Sequence, residues 1–499
     1  MLSSGGDDLS THSPASEGTD FGQVFEERAR PLAVEQRGIQ VIPPEDQYAK
    51  PRDLFWMWTG ALFNVETLVT GALLIAIGLS FAQAVILIVL GNISYVIVGI
   101  CSIQGPSART STFAISRAAF GPNGARSVSV FNWITMIGYE VLGLSLVVLA
   151  GLALLAKAGL QSSIALKVIV ILVATGIQFL IPFFGHATIL RLLKYLTYPF
   201  AALFVIMAVL TFMKVDISAL HQQGSWATVT LGLALVIATA GLGWSTQASD
   251  YSRYVPASAS RRSVVLWVAL GGYIPGTLLM LIGAGAAAAV PAATNPISGL
   301  PQVFPGWFLV PYLIVILPQL FAINGITLYS SGLTLQAIGL RIRRWHAVLI
   351  DTVIASILTF LITFSSSFYT FLSDLLLFVI VWVGPWTGIF LVDYFLRRGR
   401  YDSKALFGRL GSVYWSNNGF RVAALVAQVV GMLAALSWLD VSPVFEGPLS
   451  SHTMGADLSA WMGLVFGAVV YFLLARRSVA GELARDSQSD LAPTISSKA

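Results

Sequence analysis

From Leu54 onward the chain is built of apolar runs long enough to cross a bilayer, at about 54–79, 83–104, 127–155, 164–184, 190–213, 227–247, 264–290, 308–335, 346–366, 371–395, 420–439 and 457–475. A spanning helix needs about 20 predominantly apolar residues, so each run is read as one helix. Composition excludes a soluble core: the 499 residues are 56% hydrophobic and 11% charged, with a mean hydropathy of +0.78. That much apolar surface needs lipid around it. The expected fold class is an all-α polytopic membrane protein with 12 transmembrane helices.

Charge distribution sets the expected orientation. With an even number of spans and the N-terminal tail inside, all but three of the 29 Lys and Arg residues fall on one side, the exceptions being Lys157, Lys167 and Lys214. Basic residues collect in cytoplasmic loops, so both termini are expected in the cytoplasm and the protein in the cell (plasma) membrane. Residues 1–50 are rich in Ser, Gly, Asp, Glu and Pro, without an apolar stretch like a signal-peptide core, and read as a disordered cytoplasmic tail. Acidic residues interleave with its basic ones, which argues against nucleic-acid binding. The membrane domain is expected over 51–477 and a cytoplasmic C-tail over 478–499. Cys101 is the lone cysteine, so no intrachain disulfide forms and packing must rest on helix contacts.

The sixth run is interrupted by Thr239-Ala240-Gly241-Leu242-Gly243-Trp244-Ser245-Thr246-Gln247-Ala248-Ser249-Asp250. Irregular backbone at membrane depth is tolerated where protein or a water-filled cavity satisfies the freed amides and carbonyls, so a break here predicts a lined cavity at Gly241 and Gly243. A glycine-kinked helix with a polar inner end is the plainer alternative. The first run carries Asn64 and Glu66 about a third of the way in. A carboxyl against lipid is expensive, so Glu66 is expected to face a cavity or a partner, a hydrogen-bonded structural acid being the other reading. Interruptions in the first and sixth runs, five helices apart and opposite in direction, point to an inverted repeat with a binding site between them. In the third run Tyr139 and Glu140 stand between Gly138 and Gly143. An aromatic among small residues offers a ring face to a planar ligand, or packs on a close helix neighbour.

His186, His221 and His346 do not cluster as metal ligands do. No Cys/His spacing, phosphate loop or nucleophile–base set supports an enzyme, a metal or a cofactor. A channel would need a filter-like repeat or an acidic ring, and neither is visible. A secondary transporter is the reading that remains, against a membrane sensor that binds the same ligand without moving it.

Several pieces in order along the chain resemble the nucleobase:cation symporter-1 family, in its purine-cytosine permease branch. They are Ser116-Arg117 to Phe120-Gly121 with Gly124; Gly243-Trp244 ahead of Asp250-Tyr251-Ser252-Arg253-Tyr254; Asn324 ahead of Leu328-Tyr329-Ser330-Ser331-Gly332; Gly384-Pro385 with Asp393-Tyr394 and Arg397-Arg398; and Tyr414-Trp415 with Gly419. The resemblance covers Arg52 to Arg477. It implies a LeuT-type 5+5 inverted repeat with broken helices 1 and 6, repeat one at about 54–213, repeat two at about 227–395, and peripheral helices at about 420–475. It also implies import of a nucleobase or related heterocycle with a cation, a hydantoin, allantoin or vitamin-type substrate with sodium being the near alternative. The substrate would lie between helices 1, 3, 6 and 8, with Tyr139 as the stacking aromatic, Trp244 as the helix 6 tryptophan and Asn324 as the helix 8 amide. A base is a flat ring with a hydrogen-bonding edge, so stacking worth about 1–3 kcal/mol per base plus a few amide contacts suits it.

The chain also departs from that family. Many relatives carry an asparagine at Leu62, a tryptophan at Tyr139, an amide at Gly143 and an asparagine at Thr327. Asn64 stands two residues from Leu62, about 200° around an ideal helix, and replaces the missing amide only if the backbone is unwound there. Sodium-coupled members use helix 8 oxygens, but the aligned positions here are Ala322 and Ile323, and only Gln319 nearby offers a side-chain oxygen. Glu66 and Glu140 are acids within spans, able to load and release a proton. Proton symport through Glu66 or Glu140 is therefore expected over sodium symport. Asp250 with Arg253, and Asp393 with Arg397, read as structural or gating clusters at the cytoplasmic helix ends.

Overall fold

The computed structural model describes residues 38–491 apart from 184–185, 215–222, 296, 298, 366–367, 409–410 and 442–444. Most of the expected N-terminal tail, His221 and the last eight residues of the expected C-tail lie outside the described residues. The regular secondary structure of the described residues is helical but for one antiparallel ladder, Asp440–Val441 against Phe445–Glu446. Ten helices among the described residues are long and apolar enough to cross a membrane, or up to eleven if one bent pair counts as a single span. The run at 164–184 is the helix Ile164–Phe183, whose apolar part is shorter than the others.

The bent pair is the first run. Helix Pro51–Leu62 starts on Pro51, with the Asp53 carboxylate accepting from the Lys50 amide at 2.8 Å. Helix Val65–Ala76 leaves it at 60°. Asn64 makes the joint: its backbone is extended, Oδ1 accepts from the Thr67 amide at 2.6 Å, and Nδ2 donates to the Ala61 carbonyl at 3.0 Å. One side chain thus satisfies a bare donor of the second half and a bare acceptor of the first.

The sixth run is irregular at the expected place. Helix Trp226–Ile237 runs into a wide π turn, Ala238–Leu242, in which Ala240 leaves helical geometry at φ −96°, ψ −107°. Short helical pieces follow at Gly243–Ser245 and Ala248–Ser252. The Gly241 amide donates to Ser94 Oγ at 3.0 Å, and a Cβ on Gly241 would overlap the Ser94 carbonyl. Only glycine admits that approach.

Close backbone contact also joins the first run to helix Arg261–Ala289. Gly71 lies against the Met280 backbone, Gly283 against the Leu68 carbonyl and Gly271 against the Phe55 carbonyl. Small residues let spanning helices approach where lipid gives no hydrophobic drive. The two largest apolar cores lie around Trp58, Tyr251, Trp382 and Trp386, and around Leu68, Phe204, Ile282 and Phe308. Large apolar side chains such as Leu90, Leu172, Val209, Ile357 and Leu473 face outward, as a lipid-facing surface requires.

Candidate functional site

A cavity opens at the two irregular helices. Asn64, Glu66, Tyr139, Gly243, Trp244, Asn324 and Thr327 line it together. Of the other residues singled out from sequence, Gly241 turns its backbone onto Ser94, and Glu140 is fully buried behind the wall. Neither is among the lining residues.

Two half-buried rings stand in this wall without touching each other. Trp244 is held perpendicular to Trp58, with centroids 5.6 Å apart, and Trp58 is perpendicular to Tyr251 at 6.0 Å. Tyr139 comes from the long helix Gly124–Lys157, and its hydroxyl lies 3.8 Å from where a Cβ on Gly243 would stand. What requires glycine at 243 is the Ala238 carbonyl, which a Cβ there would overlap.

The polar groups come from the helix breaks and from helix Leu309–Ile338. Glu66 occupies the first turn of Val65–Ala76, where unpaired amides favour negative charge, and lines the same cavity as Tyr139. Asn324 Nδ2 donates to Gln178 Oε1 at 2.8 Å and to the Glu140 carbonyl at 3.2 Å. Both amide hydrogens are therefore used, and what Asn324 keeps for a ligand is its acceptor oxygen. The Thr327 hydroxyl reaches the Ile323 carbonyl at 3.4 Å, a weak bond that a ligand acceptor can replace.

Gln247 is a lining residue that sequence reasoning passed over. It sits one helical turn beyond Trp244, its Nε2 donating to Met136 Sδ at 3.3 Å and its Oε1 accepting from Tyr251 at 3.1 Å. Thr239, with its hydroxyl on the Leu235 carbonyl at 2.8 Å, and Leu142, Leu146 and Met280 complete the walls. In a stretch as polar as 245–252, no periodicity marks Gln247 out. Its spacing from Trp244 was the available signal.

Below Gln247 the end carrying the N-terminal segment is closed. Tyr251 and Tyr329 stack at 5.7 Å, and the Tyr251 hydroxyl also lies 2.9 Å from the Ile326 carbonyl. Arg253, fully buried, donates to the Tyr329 hydroxyl at 2.8 Å and to the Gly38 carbonyl at 2.7 Å. Gln47 Nε2 donates to the Val255 carbonyl at 2.8 Å. Asp250 does not point at the cavity: it accepts from the Thr112 amide at 2.8 Å and hydroxyl at 2.9 Å. Asp393 binds Arg397 at 2.9 Å, and Arg397 also donates to Glu482 at 2.9 Å.

No group of three or more His, Cys, Asp or Glu residues able to hold a metal occurs among the described residues. Ala322 and Ile323 are buried and apolar, while neither polar atom of buried Gln319 has a hydrogen-bond partner among the described residues.

A multi-pass helical bundle with a lined cavity at two irregular helices, closed at one end, has the architecture of a membrane transporter. The chain belongs to the permease family for cytosine/purines, uracil, thiamine and allantoin, whose model matches residues 41–463. It is 29% identical to YxlA of Bacillus subtilis over 89% of this chain and 96% of that protein. It is 25% identical to the purine-cytosine permease fcyB of Emericella nidulans over 93% of this chain and 95% of that protein. The fold is that of Mhp1, a nucleobase-cation-symport-1 family transporter solved in a closed conformation with bromovinylhydantoin bound. The two agree with a TM-score of 0.69 over 91% of this chain and 96% of Mhp1, at 16% identity.

Proposed function

We propose that this permease imports a nucleobase, either a purine or cytosine, or a related heterocycle, by alternating access with a proton as the coupled cation. The observation that carries the substrate reading is the pair of separate ring faces, Tyr139 and Trp244, in a cavity that also presents Glu66, Asn324 and Gln247. A planar heterocycle stacks between or upon the rings and spends its ring and amino N–H groups on those acceptors. The purine-cytosine permease fcyB, similar along nearly its whole length, supports this substrate class. Competition by cytosine, hypoxanthine, uracil and allantoin for labelled uptake, in a strain lacking its own carriers, tests it. Saturable uptake competed by cytosine or hypoxanthine is expected, and no saturable uptake of any heterocycle would refute it.

The alternating-access reading takes the bent first run as one span and Ile164–Phe183 as another, which with the ten long helices gives the twelve expected. Repeat one then covers about 54–213 and repeat two about 227–395, with the two irregular helices at corresponding places. Both termini lie in the cytoplasm and the membrane is the plasma membrane. The Arg253 cluster is then the inner gate and the cavity faces outward.

For the coupling ion, a hard cation needs several oxygens in place of its water. Ala322 and Ile323 offer no side-chain oxygen. Glu66 in the cavity and Glu140 behind it are the acids left to carry a proton. Substrate accumulation in proteoliposomes is expected to follow an imposed proton gradient and to ignore sodium at constant pH.

A further inference from the structure

The Asn324 amide stands where three helices meet, the Tyr139 helix Gly124–Lys157, helix Ile164–Phe183 and its own helix Leu309–Ile338. Its Nδ2 donates to the Glu140 main-chain carbonyl at 3.2 Å and to Gln178 Oε1 at 2.8 Å. A main-chain carbonyl only accepts, so the Asn324 atom facing it is the nitrogen, and the Gln178 atom facing that nitrogen is in turn the oxygen. One backbone group thereby fixes the direction of both amides. Asn324 lines the cavity, whereas Gln178 is fully buried and is not among the lining residues. Gln178 therefore bears on a ligand only through Asn324.

Of the two bonds that hold Nδ2, the one to Gln178 is the shorter. Without that oxygen one N–H of Asn324 would be bare in a dry interior, and turning the amide to bring this N–H into the cavity would relieve it. Asn324 would then show a ligand a donor in place of its oxygen. Held by Gln178, it shows an acceptor. An exocyclic amino group projects beyond the outline of a heterocycle, so it reaches such an acceptor on the wall while the ring stays on its stacking faces. The stacking itself does not read that group, because every base has a ring face.

We propose that Gln178 is a positioning residue that holds Asn324 with its oxygen toward the ligand, and so selects heterocycles that carry an exocyclic amino group at that edge. The amino group donates one N–H to Asn324 Oδ1. A ring without it leaves that oxygen desolvated and unpaired on binding, and an oxo group in the same pose sets two acceptors face to face. The proposal rests on the heterocycle reading above and adds the buried residue that gives one edge of the site its acceptor character.

The test is equilibrium binding to the purified full chain of two matched pairs, adenine against purine and cytosine against pyrimidin-2-one, the members of each pair differing by the amino group. Wild type is expected to bind the amino member of each pair it accepts about tenfold or more tightly. In Gln178→Leu that ratio is expected to fall to near one. Gln178→Met, which also lacks an acceptor oxygen but keeps an unbranched side chain, takes its place if the leucine variant does not fold. Gln178→Glu offers Nδ2 an oxygen in either protonation state and is expected to keep the ratio. A merely structural glutamine would weaken both members alike, so a ratio retained in a folded Leu or Met variant overturns the proposal. So does a wild type that binds both members of a pair equally, or a ratio lost in Gln178→Glu as fully as in Gln178→Leu. Failure of the heterocycle reading looks different, since wild type then binds none of the four compounds and the proposal falls with it.

Discussion

The Asn324 side chain occupies the space that a Cβ on Gly143 would need. The two residues face each other across the contact of their helices, and the missing side chain on one is what lets the amide of the other reach Gln178 and the Glu140 carbonyl. The side chain of one helix thus fills the place left empty on the other. Gly143→Ala is expected to displace Asn324 and weaken both hydrogen bonds, at about 0.5–1.5 kcal/mol each. Thermal unfolding in detergent should show a lower midpoint, and substrate affinity should fall with it. An unchanged midpoint with unchanged affinity would mean that the Asn324 contacts carry no weight.

Stacking makes a separate prediction. Trp244→Ala and Tyr139→Ala should each weaken apparent substrate affinity about tenfold or more, while Tyr139→Phe keeps most of it, if the ring rather than the hydroxyl holds the ligand. Equilibrium binding to purified protein separates this from poor expression. Well-folded Trp244→Ala with wild-type affinity would remove that ring from the site.

Asn64 is expected to matter first as a joint. Replacing it by Ala strands the Thr67 amide and the Ala61 carbonyl and should cost about 0.5–2 kcal/mol of stability, whereas Asn64→Ser retains the cap to Thr67. The thermal midpoints of the two variants without substrate decide between capping and a ligand-only role; equal loss in both would argue against capping.

Arg253 ties Tyr329 to the Gly38 carbonyl, so Arg253→Ala should loosen the closed end. A cysteine introduced at Ser330, beside the Tyr251 hydroxyl at 3.0 Å, is expected to react with a membrane-impermeant thiol reagent severalfold faster in the Arg253→Ala background. Cys101 is buried and leaves a low background. Equal labelling rates would show that Arg253 does not hold the end shut.

What was legible in the sequence follows from which physical constraints are local. Lipid acts on every residue of a span, so apolar runs such as 127–155 and 308–335 announced their helices. The Gly241–Gly243 interruption announced irregular backbone because few other sequences tolerate it. Asn64 was visible as a polar residue in an apolar run, but its double hydrogen bond required knowing that Ala61 and Thr67 end facing one another. Gly143 read as a lost contact because the sequence of one helix does not disclose what its neighbour inserts.

The last helix, Ser459–Leu491, carries Glu482 back onto the body of the protein, where it meets both Arg397 and Arg421. Arg421 also donates to the Ala118 carbonyl, in the loop that follows the second span. Anyone attaching a reporter or trimming this end is therefore working on a part that clamps three distant segments together. A cut ahead of Glu482 would leave the Arg421 guanidinium without its carboxylate, so fusions belong beyond the helix and not within it.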